Sequence, residues 1–120
     1  MTTAIVLFAH GSRDPLWHKP IEAVAQAIAL QAPGTPVRCA YLELSTPSLD
    51  EAAAQLLAQG ATRLRVFPMF LGMGKHARED LPLLMDALRA AHPGVAFELL
   101  PTAGESPRLT ALLAELALGA

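Results

Sequence analysis

Apolar and polar positions along this chain follow two periods, one typical of buried strands and one typical of amphipathic helices. Short apolar runs predict four strands, at Ala4–Ala9, Val37–Leu42, Arg63–Pro68 and Val95–Leu99. The first run is apolar at every position, which is typical of a central strand covered on both faces. Strands that alternate with helices in this way indicate βαβ units and a parallel sheet.

A helix is predicted after each strand, with an inward-facing apolar stripe in each. We expect Thr46 to cap the second helix, with Pro47 in its first turn. The third helix is expected to begin at Arg78, which would leave Pro82 in its opening turn. The four stripes are Ile21, Val24, Ala25 and Ile28; Leu49, Ala52, Ala53 and Leu56; Leu81, Leu84, Met85 and Leu88; and Leu109, Leu112, Leu113 and Leu116, the last of which is expected to be buried.

The order of these elements predicts one α/β domain over residues 1–120. We expect a doubly wound, four-stranded parallel sheet of order 2-1-3-4 with helices on both faces. Right-handed crossovers place the carboxyl ends of all the strands at one rim of such a sheet. In this order, strands are added to one side of the first strand and then to its other side, so the strand order reverses between the first and third strands. The crevice at that point is the usual binding place in open α/β sheets.

Composition narrows the class of protein. Although 52% of the residues are hydrophobic, no apolar run approaches the ~20 residues of a membrane span, and the amino terminus lacks the basic segment of a secretion signal. Cys39 is the single cysteine, which fits a reducing compartment. We therefore expect a cytoplasmic protein that does not associate with a membrane. A net charge of −2 and 5% aromatic residues argue against nucleic acid as a partner.

Three side chains with metal-binding chemistry follow three of the predicted strands: His10, Glu43 and His76. Two neutral imidazoles and a carboxylate suit a borderline divalent ion such as Co²⁺, Ni²⁺, Fe²⁺ or Zn²⁺, and they leave coordination positions open. An imidazole with a pKa of ~6.5 can also accept a proton at neutral pH. The other two histidines, His18 and His92, are expected at the surface.

Three segments carry a family resemblance: residues 9–15 (AHGSRDP), 41–49 (YLELSTPSL) and 67–82 (FPMFLGMGKHAREDLP). They resemble the short-form CbiX-type sirohydrochlorin chelatases, which are ATP-independent class II chelatases. The resemblance implies a chelatase-like fold, a homodimer, and insertion of Co²⁺, or of Ni²⁺ or Fe²⁺, into sirohydrochlorin in cobalamin or sirohaem synthesis. It also implies metal-binding and proton-accepting roles for His10 and His76 and an acidic site role for Glu43.

Further expectations follow from the resemblance. Sirohydrochlorin carries many carboxylates, so Arg13, Lys75 and Arg78, together with Ser12, are candidate substrate contacts. If they do not contact substrate, we expect the basic residues to be exposed surface charges and Ser12 to stabilise its loop by a local hydrogen bond. We expect no iron–sulfur cluster, because this sequence ends without the cysteine-bearing tail of longer relatives. Two alternatives stay open: a non-catalytic metal carrier or regulatory module, and one half of a heteromeric chelatase.

Overall fold

Four parallel strands form a single sheet in the order β2-β1-β3-β4. A computed structural model of the protein describes residues 2–119. The strands are β1 (Thr3–Ala9), β2 (Val37–Tyr41), β3 (Arg63–Pro68) and β4 (Ala96–Leu99). The helices are α1 (Lys19–Gln31), α2 (Leu49–Ala58), α3 (Lys75–Ala91) and α4 (Pro107–Ala117), with short 3-10 turns at Pro15–His18 and Ala103–Glu105. The predicted parallel sheet and its strand order are confirmed.

One face of the sheet packs against α2 and α3 and holds the core. Alternate residues of a strand point to the same face, and those of β1 and β3 meet the inward stripes of the two helices. Burying one leucine-sized side chain stabilises the fold by ~2 kcal/mol, so this face carries most of the stability. The fully covered residues include Ala4, Val6, Phe8, Leu64, Val66, Leu49, Ala52, Ala53, Leu56, Leu81, Met85 and Leu88.

The opposite face is covered over only half of its width. There α1 lies over β1 and β2, with the Cys39 Sγ atom 3.9 Å from the carbonyl oxygen of Ile21. Across β3 and β4 the same face carries an ion pair between Arg65 and Glu98, whose Nε and Oε1 atoms are 2.8 Å apart and whose side chains are partly exposed. The predicted helices therefore lie on both faces, but unequally.

Helix α4 forms as predicted, yet the expected burial of its stripe is wrong within this chain. The side chains of Leu112, Leu113 and Leu116 are 49%, 39% and 60% exposed, and no residue of α4 is buried. Its main contact is with the 3-10 turn that precedes it. Helical spacing predicts that a face is apolar without saying which surface will cover it. Within residues 2–119, no helix combines the length and apolarity that crossing a bilayer requires.

Helix α2 begins two residues later than predicted, because its cap is Ser48 and not Thr46. The backbone N–H of Glu51 donates to the Ser48 hydroxyl at 3.2 Å, and the backbone N–H of Ser48 donates to the Glu51 carboxylate at 2.9 Å. This reciprocal capping box satisfies two backbone donors at once, which a threonine cap two residues earlier would not do.

Helix α3 begins three residues earlier than predicted, at Lys75. The expectation that Pro82 lies in the opening turn is therefore wrong, since it lies inside the helix. Pro82 is on the exposed side, where water can satisfy the carbonyl that loses its helical partner. The earlier start moves Lys75 and His76 from a loop into the first turn of α3.

The capping box makes stability depend on pH. Hydrogen bonds from the backbone and side chain of Ser48 hold the pKa of the Glu51 carboxyl below its ordinary value of 4.5. The carboxylate therefore stabilises the folded chain above that pH, and this contribution is lost as the pH falls through the lowered pKa. We expect Glu51→Gln to lose less stability than the wild type between about pH 6 and about pH 3 in urea denaturation.

Asp50→Asn is the matched control, because it removes a carboxylate from the same first turn without removing the capping box. Its pH dependence should lie closer to that of the wild type than the pH dependence of Glu51→Gln does. Equal acid sensitivity of Glu51→Gln and the wild type would contradict the assignment.

Candidate functional site

The loops that follow β1, β2 and β3 meet at one rim of the sheet, around a cavity of about 500 Å³. The cavity brings together three side chains that the sequence singled out for metal chemistry, and it contains one of the predicted substrate contacts. Its lining residues are His10, Leu42, Glu43, Phe70, Gly72, Gly74, Lys75, His76, Ala77 and Asp80.

His10 and Glu43 contact each other directly, with His10 Nε2 and Glu43 Oε1 2.9 Å apart. The backbone creates this contact: the N–H of Leu42 donates to the Ala9 carbonyl at 2.9 Å, and the N–H of Glu43 donates to the His10 carbonyl at 3.0 Å. Backbone hydrogen bonding between these two segments thus continues past the ends of both strands. Each of the two side chains is 54% exposed, so the backbone rather than surrounding packing holds the pair together.

Gly11 makes that continuation possible. Its φ of +107° lies in the region that favours glycine, and a Cβ atom there would fall 1.8 Å from the carbonyl oxygen of Glu43. No other residue fits without moving one of the two loops. Leu44, directly after Glu43, also has a positive φ, of 64°, and non-glycine residues in this conformation concentrate at functional sites. Sequence reasoning treated Gly11 only as part of a motif.

The first turn of α3 supplies the opposite part of the lining. His76 is the second residue of α3, and Asp80 follows one helical turn later, so both lie on the same side of the helix. Sequence reasoning missed Asp80, because placing the helix start at Arg78 hid its four-residue spacing from His76. The residue before α3, Gly74, provides no side-chain cap for the first turn.

The predicted ligand set is brought together only in part. Among residues 2–119, no three histidine, cysteine, aspartate or glutamate side chains are close enough to hold one metal ion together. The structure places His10 and Glu43 in contact and His76 on the same cavity. An open pair of this kind can admit and release a cation, whereas structural metal sites are closed.

The predicted substrate contacts divide among several places. Lys75 lines the cavity of His10, whereas Arg78 lines a neighbouring cavity of about 220 Å³ between α3 and the segment after β4. Arg13 is exposed on the loop after β1. The Ser12 hydroxyl accepts a hydrogen bond from the backbone N–H of Asp14 at 3.1 Å, which is the loop-tying role expected of it.

The expectation that His18 lies at the surface is wrong. The residue is half-buried, its ring packs against Trp17 and Tyr41, and its Nε2 atom lies 2.8 Å from the Ser45 hydroxyl. Burial raises the pKa of Tyr41 to about 12, so its phenol stays neutral. No local pattern in the sequence predicts this contact, because Ser45 is 27 residues away along the chain.

Several known proteins of similar sequence carry the name sirohydrochlorin cobaltochelatase. This chain and the sirohydrochlorin cobaltochelatase of Methanothermobacter thermautotrophicus are 35% identical over 81 residues. These residues make up 68% of this chain and 56% of that protein. The enzyme of the same name from Methanocaldococcus jannaschii is 32% identical over 89 residues, or 74% of this chain and 62% of that protein. The match therefore spans little more than half the length of these curated relatives.

Solved structures with the same fold cover nearly the whole chain. A CbiX protein from Marinobacter aquaeolei VT8 superposes with a TM-score of 0.84 at 33% identity, over 98% of this chain and 95% of that one. The sirohydrochlorin chelatase SirB of Bacillus subtilis subspecies spizizenii, solved in complex with cobalt, superposes with a TM-score of 0.82. At 22% identity, over 96% of this chain and 49% of that one, SirB shows the fold alone.

The CbiX family model matches residues 4–119, from the second residue of β1 to beyond the end of α4. Because that match takes in the whole sheet and the rim that carries His10, Glu43 and His76, this chain belongs to the CbiX family.

Proposed function

We propose that this chain is a sirohydrochlorin chelatase, a lyase that inserts a divalent metal ion, with Co²⁺ as the first candidate, into sirohydrochlorin. The observation that carries the proposal is the 2.9 Å contact between His10 Nε2 and Glu43 Oε1 on the 500 Å³ rim cavity. Membership of the CbiX family and the names of the relatives support the choice of substrate. A cavity of this volume is in the range of ligand-binding sites.

Metal insertion needs two pyrrole N–H protons to leave and the incoming ion to lose its water. No phosphoryl or redox step is required. A carboxylate can only accept hydrogen bonds, so the Nε2 atom of His10 carries the proton in its contact with Glu43. In neutral His10, the lone pair on Nδ1 is then available to bind the metal substrate or to take up a pyrrole proton.

Lys75 and the first turn of α3 are suited to the carboxylates of the tetrapyrrole. A lysine at the start of a helix opposes the helix dipole, so its position there is not explained by helix stability. Beside the uncapped N–H groups of that turn, it makes an anion-binding edge of the cavity. In this proposal His76 and Asp80, on the same edge, receive the second proton or pass on the ion.

The homodimer is part of the same proposal. An isolated helix of 11 residues is marginal in water, and α4 exposes Leu112, Leu113 and Leu116 instead of packing them on its own sheet. A second copy would cover this stripe. The single domain over residues 1–120, the cytoplasmic location, the independence from ATP and the absence of an iron–sulfur cluster remain predictions.

Replacement of His10 tests the reaction. We expect the wild type to accelerate the absorbance change of sirohydrochlorin on addition of Co²⁺, and His10→Ala to lower kcat/KM by ~100-fold or more, since a positioned acid or base contributes on this scale. Glu43→Gln should cost ~10-fold, as loss of a partner that orients a ligand does.

His92→Ala is the matched control, because His92 lies at the carboxyl end of α3, away from the rim cavity. It should behave as the wild type. Binding of Co²⁺ by the wild type without any acceleration would overturn the chelatase proposal in favour of a metal carrier. Full activity of His10→Ala would remove the site assignment.

Replacement of the α4 leucines tests the homodimer. By size-exclusion chromatography with light scattering, we expect the wild type at about twice the 12.7 kDa of the chain and Leu112→Glu at a mass near 12.7 kDa, because a buried unpaired charge opposes association. Leu30→Glu, on α1 and already 84% exposed, should leave the dimer intact. A monomeric wild type would contradict the homodimer and favour the alternative that this chain is one half of a heteromeric chelatase.

A further inference from the structure

We propose that His18 is a positioning residue, which holds together the two loops that carry His10 and Glu43 through its hydrogen bond to Ser45. The inference rests on the proposed function for its consequence in catalysis, but the structural part stands on its own. His18 does not line the rim cavity, so it acts through other residues.

Ser45 is the point at which the two loops are joined. Its hydroxyl donates to the carbonyl of Ser12 at 2.6 Å and accepts from the backbone N–H of the same residue at 3.1 Å. Ser12 follows His10 by two residues, and Ser45 follows Glu43 by two residues. These two hydrogen bonds, called here the Ser45 clasp, lie directly beyond His10 and Glu43. The clasp fixes the spacing of the two loop backbones that carry His10 and Glu43.

The direction of the His18 hydrogen bond follows from the clasp. A serine hydroxyl has one proton and two lone pairs, and the proton of Ser45 is committed to the Ser12 carbonyl. The His18 Nε2 atom, 2.8 Å from the Ser45 Oγ atom, must then be the donor. Neutral His18 is thereby held as the tautomer with its proton on Nε2, and the hydrogen-bonding capacity of Ser45 is full.

The ring of His18 is anchored independently of this hydrogen bond. Its centroid lies 4.9 Å from that of Tyr41, the last residue of β2, and 5.7 Å from that of Trp17. The 3-10 turn that carries the ring is itself capped by Asp14, whose carboxylate accepts from the backbone N–H of Leu16 at 2.9 Å. His18 therefore brings to Ser45 a donor whose position is already fixed by the sheet and by the capped turn.

This brace, the hydrogen bond from His18 to Ser45, matters because surrounding side chains do not hold His10 and Glu43 in place. With His10 and Glu43 both 54% exposed, their relative position depends on the order of the two loop backbones. Misplacement of catalytic groups by about 1 Å costs far more in rate than in stability. Loss of the brace should therefore change activity and the environment of His10 while leaving the fold intact.

Three substitutions separate the hydrogen bond from the packing. His18→Phe keeps an aromatic ring against Tyr41 and Trp17 but removes the donor. In His18→Gln, the side-chain amide nitrogen can donate from about the position that Nε2 occupies. In His18→Asn, the amide lies nearer the backbone and cannot reach Ser45. We expect kcat/KM for Co²⁺ insertion to fall ~5-fold in His18→Phe and His18→Asn, the scale of one hydrogen bond, and to recover in His18→Gln.

Nitrogen-15 NMR of the histidine rings gives a readout that does not depend on activity. We expect neutral wild-type His18 to carry its proton on Nε2, and the ring signals of His10 to shift in His18→Phe and Ser45→Ala but to return in His18→Gln. A melting temperature close to that of the wild type should accompany the shift in His18→Phe, because its ring packing is retained.

The outcomes are distinct. Wild-type kinetics and an unshifted His10 in His18→Phe would overturn the positioning role, as would failure of His18→Gln to restore either readout. A wild type without chelatase activity would remove the proposed function alone, since the NMR shifts of His10 would still decide whether His18 braces the loops.

Discussion

The site depends on a backbone ladder that does not stop where its strands stop. Backbone hydrogen bonds from Leu42 and Glu43 to the carbonyls of Ala9 and His10 extend beyond the last paired residues of β1 and β2 and set His10 beside Glu43. The ladder can continue only because Gly11 lets the first loop approach the Glu43 carbonyl more closely than any side chain would allow. Both chemical groups are therefore placed by main-chain geometry, and what surrounds them can remain open to solvent and substrate.

The hydrophobic core and the candidate site occupy different parts of the molecule. The apolar residues that α2 and α3 bury against one face hold β1 and β3 rigidly side by side. The carboxyl ends of those strands then form a fixed rim, and the direction of α3 brings its first turn, with Lys75 and His76, to the same rim. Because the core fixes where the strands end, short loops are enough to gather side chains that are far apart in sequence.

Local rules explain what could be predicted. All four strands were predicted to within a residue at either end, and β3 matched fully, because apolar runs and turn residues are local signals. The approach of His10, Glu43 and His76 to one rim followed from crossover handedness, which places the carboxyl ends of all the strands at the same rim. The environment of His18 was out of reach, since its partner comes from another loop, and α4 shows that periodicity does not identify the covering surface.

An exposed pair held by its backbone is suited to exchange. Were His10 and Glu43 buried, each would need the other to satisfy its charge or hydrogen bond, and separating them would cost several kcal/mol, about the penalty of an unpaired buried charge. Half exposed, they can part at little cost, because water replaces each partner. A proton or cation that arrives at the rim can therefore be taken up by one group and released again, while the ladder and the Ser45 clasp keep the two within reach of each other.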